Sequence, residues 1–229
     1  MTEIENPGRA RILERVRKAL TVPAPRHASD TQEKQIFPPV VDPLRRFQEE
    51  CVGNKTECLV TSDQKESASA LAEVLASLPA GEIFAEDTAE LRAMAPAWLG
   101  RSVRWSSQGG PSESSQATIS TAEALVAATG SILVSAACGG RGASVVAPVH
   151  IVLAGIDQLV PDLKTVFALQ SERGTLMQNS YVCLITGSSR TADIEKILVS
   201  GAHGPRRLVV VLSLGSATGA RTALDGHGS

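Results

Sequence analysis

From Glu57 onward, apolar residues come in short blocks, and between most blocks they recur at helical spacing. Residues 57–61 (ECLVT), 82–85 (EIFA), 102–105 (SVRW), 131–135 (SILVS), 149–154 (VHIVLA), 181–185 and 208–214 read as strands. Leu71, Val74, Leu75 and Leu78 form a helical stripe, as do Leu91, Met94 and Trp98, with Pro96 ending the second helix. Leu163, Val166, Phe167 and Gln170 place another helix over residues 161–172. Asp63/Glu66, Asp87/Glu90 and Ser120/Glu123 have capping-box spacing, and the last pair predicts a brief helix in ALVAA, 124–128. Strands alternating with helices predict an α/β protein whose largely parallel sheet is covered on both faces. The strands at 131–135 and 149–154 are joined without a helix, which allows one antiparallel pair.

The N-terminal part has a different pattern. Ile12, Leu13, Val16 and Leu20 make an apolar stripe among Arg9, Arg11, Arg15, Arg17 and Lys18. Residues 1–20 are thus an amphipathic helical arm that packs on the body or on a neighbouring chain. Residues 21–43 hold Pro23, Pro25, Pro38, Pro39 and Pro43 and read as an extended linker. A helix using Leu44, Phe47 and Cys51 opens the α/β domain, residues 44–214, and a small-residue tail, 215–229, follows.

Composition narrows the function. Net charge is −2, which gives no basic footprint for nucleic acid. Aromatic residues are 3%, too few for base- or sugar-stacking platforms. Cys51, Cys58, Cys138 and Cys183 show no C-x-x-C spacing and no nearby histidines, so structural zinc and iron–sulfur ligation are not expected, and no metal site is assigned. No apolar run reaches membrane-spanning length, and a reducing cytoplasm with free thiols is the expected setting.

The chemistry concentrates in two loops. ITGSSRTADIEKILVSGAHGP, 185–205, reads as strand, polar loop, helix, turn and strand. A loop that opens a helix presents backbone N–H groups and the positive end of the dipole, so Thr186, Gly187, Ser188, Ser189, Arg190 and Thr191 are anion-binding candidates. The alternative is a plain helix start with Arg190 in a salt bridge. The second loop, AACGGRGAS, carries Arg141 among Gly139, Gly140 and Gly142. Both loops are expected at the carboxyl edge of the sheet, where open α/β sheets bind ligands. His150 lies inside an apolar strand and reads as a structural histidine, and His203 sits in a turn on the opposite side.

The 185–205 run, the upstream AEALVAATGSILV and the Arg141…Pro148…His150 segment resemble the LUD domain family, within it the lactate utilization protein C subgroup. The resemblance covers roughly residues 55–214. It implies a NagB/RpiA/CoA-transferase-like three-layer α/β/α sandwich. It also implies a part in oxidising L-lactate to pyruvate, alongside two partner proteins that carry the iron–sulfur clusters. This chain is then the subunit with no cofactor of its own. Thr129, Gly130, Ser131, His150 and His203 are further site candidates as positions of the family motifs. Two other readings stay open: a stand-alone enzyme or binding protein for a small anionic or phosphorylated metabolite or a CoA ester, and an assembly protein without pocket chemistry.

Overall fold

The computed structural model describes residues 7–21, 39–98, 100–192, 198–200 and 204–215. Contacts divide the chain into a unit ending at Pro38 and a body beginning at Pro39. The first unit contains helix α1, Pro7–Leu20, on which Ile12, Leu13, Val16 and Leu20 are exposed.

The body opens with α2, Pro43–Asn54. Asp42 caps it by accepting from the Arg45 N–H at 3.1 Å, and Pro43 fills the first helical position, where no donor is needed. Lys55 ends it in the left-handed region, φ 58°, and the chain enters strand β1, Thr56–Thr61. Asp63 caps α3, Gln64–Ala76, accepting from the Glu66 N–H at 2.8 Å as the spacing predicts, while Glu66 reaches one residue further back than a capping box does, to the Ser62 N–H at 2.6 Å. After β2, Ile83–Ala85, comes α4, Ala89–Met94. Its cap is Thr88, because the Asp87 carboxylate is taken by Arg92 and Ser107. The chain continues through β3, Val103–Trp105; β4, Ala117–Thr121; β5, Ala124–Val126; and β6, Ser131–Ser135. Next come β7, Val149–Gly155; β8, Leu159–Val160; α5, Leu163–Glu172; and α6, Thr175–Gln178. The last strands are β9, Val182–Ile185; β10, Arg190–Ala192; β11, Leu198–Ser200; and β12, Arg207–Ser213.

Six strands form a sheet in the order β1-β12-β7-β4-β2-β3, with every pairing parallel. Strand alternation splits its side chains between two cores. Val149, Ile151 and Leu153 of β7 pack with α3 and α4, whereas Val152 and Ala154 pack with α2 and a second sheet. That second sheet has the order β8-β5-β6-β9, with β6 antiparallel to both neighbours. Val166 of α5 packs with Ala124, Val126 and Leu133 of this sheet. The body is a three-layer α/β/α fold built on a mostly parallel sheet, with the second sheet folded into one face.

Two expected helices are strands. ALVAA contributes β5, since Leu125 and Val126 pair with Ile132 and Ser131. Ser120 and Glu123 make no capping box: Ser120 meets His150, and Glu123 accepts from Ser135. Of the helix expected after Arg190, residues 190–192 and 198–200 are instead strands β10 and β11, paired antiparallel, and residues 193–197 lie outside the described residues. The strands at 131–135 and 149–154 are not partners but lie in different sheets.

Candidate functional site

The structure brings the two Thr-Gly-Ser tripeptides, 129–131 and 186–188, together at one end of the β6–β9 pair. Ser131 Oγ lies 2.7 Å from Thr186 Oγ1 and 2.7 Å from Thr129 Oγ1, so three hydroxyls form a chain. The Asn54 amide donates to the Thr129 carbonyl at 2.8 Å. Gly187 has φ +83°, and a Cβ there would stand 2.4 Å from the Asn54 carbonyl oxygen. Gly130, φ +61°, would bring one to 2.8 Å from Glu50 Cβ. Both glycines thus let the sheet end close against α2. The Ser189 N–H donates to the Pro205 carbonyl at 2.8 Å. The chain enters β10 at Arg190, so among the described residues no helix starts at the Thr186–Thr191 loop. Arg190 and Thr191 are placed here as backbone of β10, and His203 lies outside the described residues.

Arg141 is not beside this loop. Its Nη2 donates to the Ser180 carbonyl at 3.1 Å, ahead of β9, whereas Thr186 follows β9. At ~3.3 Å per residue the two loops stand roughly 20 Å apart along the strand, so they do not converge on one ligand.

The Arg141 loop does reach the carboxyl edge of the main sheet. There it lines an open cleft of about 320 Å³ with Ser106, Gly109 and Gly110, which follow β3, and with Ala136, Ala137, Gly139, Gly140 and Gly142, which follow β6. Arg141 is its one charged lining residue among the described residues. Gly139 and Gly140 have φ +84° and +89°. The Gly140 N–H donates to the Ala136 carbonyl and the Ala143 N–H to the Gly140 carbonyl, which closes the loop. The N–H groups of Gly139, Arg141 and Gly142 find no acceptor among the described residues. Gly139 is buried, where an unpaired donor is costly. Successive backbone N–H groups in such turns make a concavity for anions.

Two carboxylates sit at this edge that the sequence pattern does not mark as site residues. Glu86, directly after β2 and 2% exposed, accepts from the Thr121 N–H at 2.7 Å and the Thr121 hydroxyl at 2.8 Å. Its stem backs Gly139, whose Cβ would lie 3.5 Å from Glu86 Cβ. Glu123 accepts from Ser135 Oγ at 2.6 Å, with the Cys138 thiol 3.7 Å away. The usable signal for Glu86 is its position immediately beyond an apolar strand block. Asp87 steadies the Ser106 wall: its N–H donates to Ser106 Oγ at 2.9 Å, and Arg92, then Ser107, hold its carboxyl down at about 2.

His150 is elsewhere, in the core between the sheets. Its Nε2 lies 2.9 Å from Ser120 Oγ, Nδ1 has no partner, and burial lowers its pKa to about 4. It is a neutral core histidine, as the apolar strand around it predicts.

Comparison with known proteins finds a family match that takes in the cleft loop. Residues 111–213 match the LUD domain family. The LUD segment contains β4 to β12 and the entire Ala136–Gly142 wall, while Glu86, Ser106 and Gly109–Gly110 precede it. Over 102 residues the chain is 36% identical to an uncharacterized protein of Neisseria meningitidis serogroup B, NMB1437; this covers 43% of the chain and 42% of that protein. Over 89 residues it is 30% identical to the Lactate utilization protein C of Deinococcus radiodurans, covering 38% and 41%. The chain thus spans about two fifths of the length of either curated relative. A crystal structure of a DUF162 family protein from Deinococcus radiodurans superposes with a TM-score of 0.58 at 19% identity, over 75% of this chain and 96% of that one. That likeness carries the fold. No helix among the described residues is long and apolar enough to cross a membrane.

Proposed function

We propose that this chain serves lactate utilization, as the subunit without iron–sulfur clusters in a system that oxidises L-lactate to pyruvate. The observation that carries the proposal is the LUD match, which takes in the whole cationic wall of the carboxyl-edge cleft. The partial likeness to a protein named Lactate utilization protein C supports the same reading. Its four cysteines lack cluster spacing, so electron transfer falls to iron–sulfur partner proteins in the cytoplasm. The cleft is where this subunit meets an anion, through Arg141 and the backbone donors beside it.

The test is genetic. A clean deletion of the gene is expected to abolish growth on L-lactate while growth on pyruvate continues, and the intact gene restores it. Normal growth of the deletion strain on L-lactate, with no second copy present, overturns the proposal.

A further inference from the structure

Two of the protein's free cysteines meet sulfur to sulfur. Cys51 lies about one turn before the end of α2, and the left-handed Lys55 reverses the chain there, its N–H donating to the Cys51 carbonyl. β1 then brings Cys58 back to the helix. Both side chains sit in the core that α2 shares with the two sheets, Cys51 fully buried and Cys58 half-buried. In that core the Cys51 thiol donates a hydrogen bond to the Cys58 sulfur. The other two cysteines meet oxygen. Cys138 Sγ lies 3.7 Å from Glu123 Oε1 and 4.0 Å from Ser135 Oγ, and Cys183 hydrogen-bonds with Tyr181. The sulfur contact makes its two members unequal. A donated S–H favours the thiolate, which lowers the Cys58 pKa although burial works against it. The Cys51 thiol is pushed up, first by the hydrogen bond with Cys58 and then by burial. Thiolate character and access select the sulfur that is oxidised first, and a thiol in contact with it captures the product as a disulfide. Cys58 meets the first condition and Cys51 the second.

We infer that Cys51 and Cys58 are a peroxide-responsive dithiol, in which Cys58 reacts with hydrogen peroxide and Cys51 closes the product to a disulfide. The Cys58 thiolate forms an S–O bond as the O–O bond breaks and hydroxide leaves. The Cys51 sulfur then forms the S–S bond as the Cys58 S–O bond breaks and a second hydroxide leaves. The two thiol protons turn both hydroxides into water, so the pair gives up two electrons and one peroxide becomes two waters. A dithiol reductant reverses the change by thiol–disulfide exchange. The disulfide pins the last turn of α2 to β1. Both Thr-Gly-Ser loops rest on that turn: the Asn54 amide holds the Thr129 carbonyl, a Cβ on Gly130 would stand 3.0 Å from the Cys51 nitrogen, and Gly187 lies against the Asn54 carbonyl. The inference rests on the thiol pair alone and holds whether or not the chain acts in lactate oxidation.

Peptide mapping of the native full chain tests it. The reduced protein is treated with equimolar hydrogen peroxide, alkylated, and digested with trypsin without reductant. Trypsin cuts after Arg46, Lys55 and Lys65, so the disulfide joins the peptides Phe47–Lys55 and Thr56–Lys65. That linked pair is expected as the main oxidised product, formed at least ten-fold faster than any oxidation of Cys138 or Cys183, and lost on adding dithiothreitol. Dimedone, which captures sulfenic acids, assigns the roles. Cys51→Ser should leave Cys58 trapped as its dimedone adduct, whereas Cys58→Ser should leave Cys51 as the alkylated thiol. Circular dichroism checks that both variants fold, and the mapping of the parent chain decides the matter without them. Three results overturn the inference: no linked pair in the parent chain, oxidation of Cys138 or Cys183 ahead of it, or a dimedone adduct on Cys51 as abundant as that on Cys58. Loss of growth on L-lactate in the deletion strain together with any of these would leave the lactate proposal standing and remove this one.

Discussion

His150 couples the core of this protein to pH. Burial disfavours its charged form, and the pKa falls from 6.5 to about 4. Above pH ~6.5 both folded and unfolded chains hold it neutral, and its contribution is fully present. Below that, the unfolded histidine takes a proton that the folded one refuses, so stability falls until the folded pKa is reached. The total loss is on the order of 3 kcal/mol. Carboxyls with depressed pKa, such as Asp87 at about 2, lose their contribution in the same direction at lower pH. The diagnostic quantity is therefore the difference between chains. Urea unfolding from pH 7 to pH 4 should show a stability slope shallower by about one proton in His150→Asn than in the parent. Equal slopes would place the histidine in a site that admits charge. Gly187 makes a second residue-scale prediction. Alanine there meets the Asn54 carbonyl at 2.4 Å in a left-handed conformation, so Gly187→Ala should cost more than ~2 kcal/mol in urea unfolding. A cost below ~0.5 kcal/mol would mean that α2 can move away from the sheet end.

At the scale of elements, local chemistry was legible where it is self-contained. The Asp63 cap can be read from spacing because every atom it needs lies within a few residues, and the structure makes the Asp63–Glu66 bond, with Glu66 turned to Ser62. Asp63→Ala should destabilise the body by about 1 kcal/mol in thermal or urea unfolding, and a neutral result would mean that packing of Leu71 and Leu75 alone holds α3. Ser120/Glu123 has the same spacing and a different fate. What decides there is non-local: the His150 ring draws Ser120 inward, and Ser135 draws Glu123 to β6. ALVAA has helical propensity in Ala and Leu, but Leu125 and Val126 are buried between β6 and β8 in the second sheet, and pairing outweighs propensity. The same limit applies to the site. Arg141 among glycines was visible in the sequence, as was the Thr-Gly-Ser-Ser loop. That β9 holds them at opposite ends was not visible, because the apolar blocks at 131–135 and 181–185 announce strands but not that these pair with each other in a second sheet. Glu86 was missed for a related reason: a single carboxylate after a strand becomes a site feature only when Thr121 and Gly139 are seen beside it.

At the scale of the whole molecule, the chain has two units, one ending at Pro38 and one beginning at Pro39. Among the described residues, the three cores of the body draw on Val40 and positions after it, and the Asp42 cap that starts α2 lies beyond the boundary at Pro38. The body is expected to fold without residues 1–38. The arm carries five cations and one acid on α1, together with the exposed stripe Ile12, Leu13, Val16 and Leu20, a composition suited to a surface with both apolar and acidic groups. If the chain works among iron–sulfur partner proteins, this is its readiest means of holding them, and the two roles come apart on truncation. A chain of residues 39–229 should unfold cooperatively within a few degrees of the parent's midpoint and bind ligand at the Arg141 cleft as before. Its recovery of the partners in pull-down should fall at least ten-fold. Unchanged recovery would move the contact to the body. A large loss of thermal stability would mean that the arm completes the fold, and that its apolar stripe is a piece of core rather than a tether.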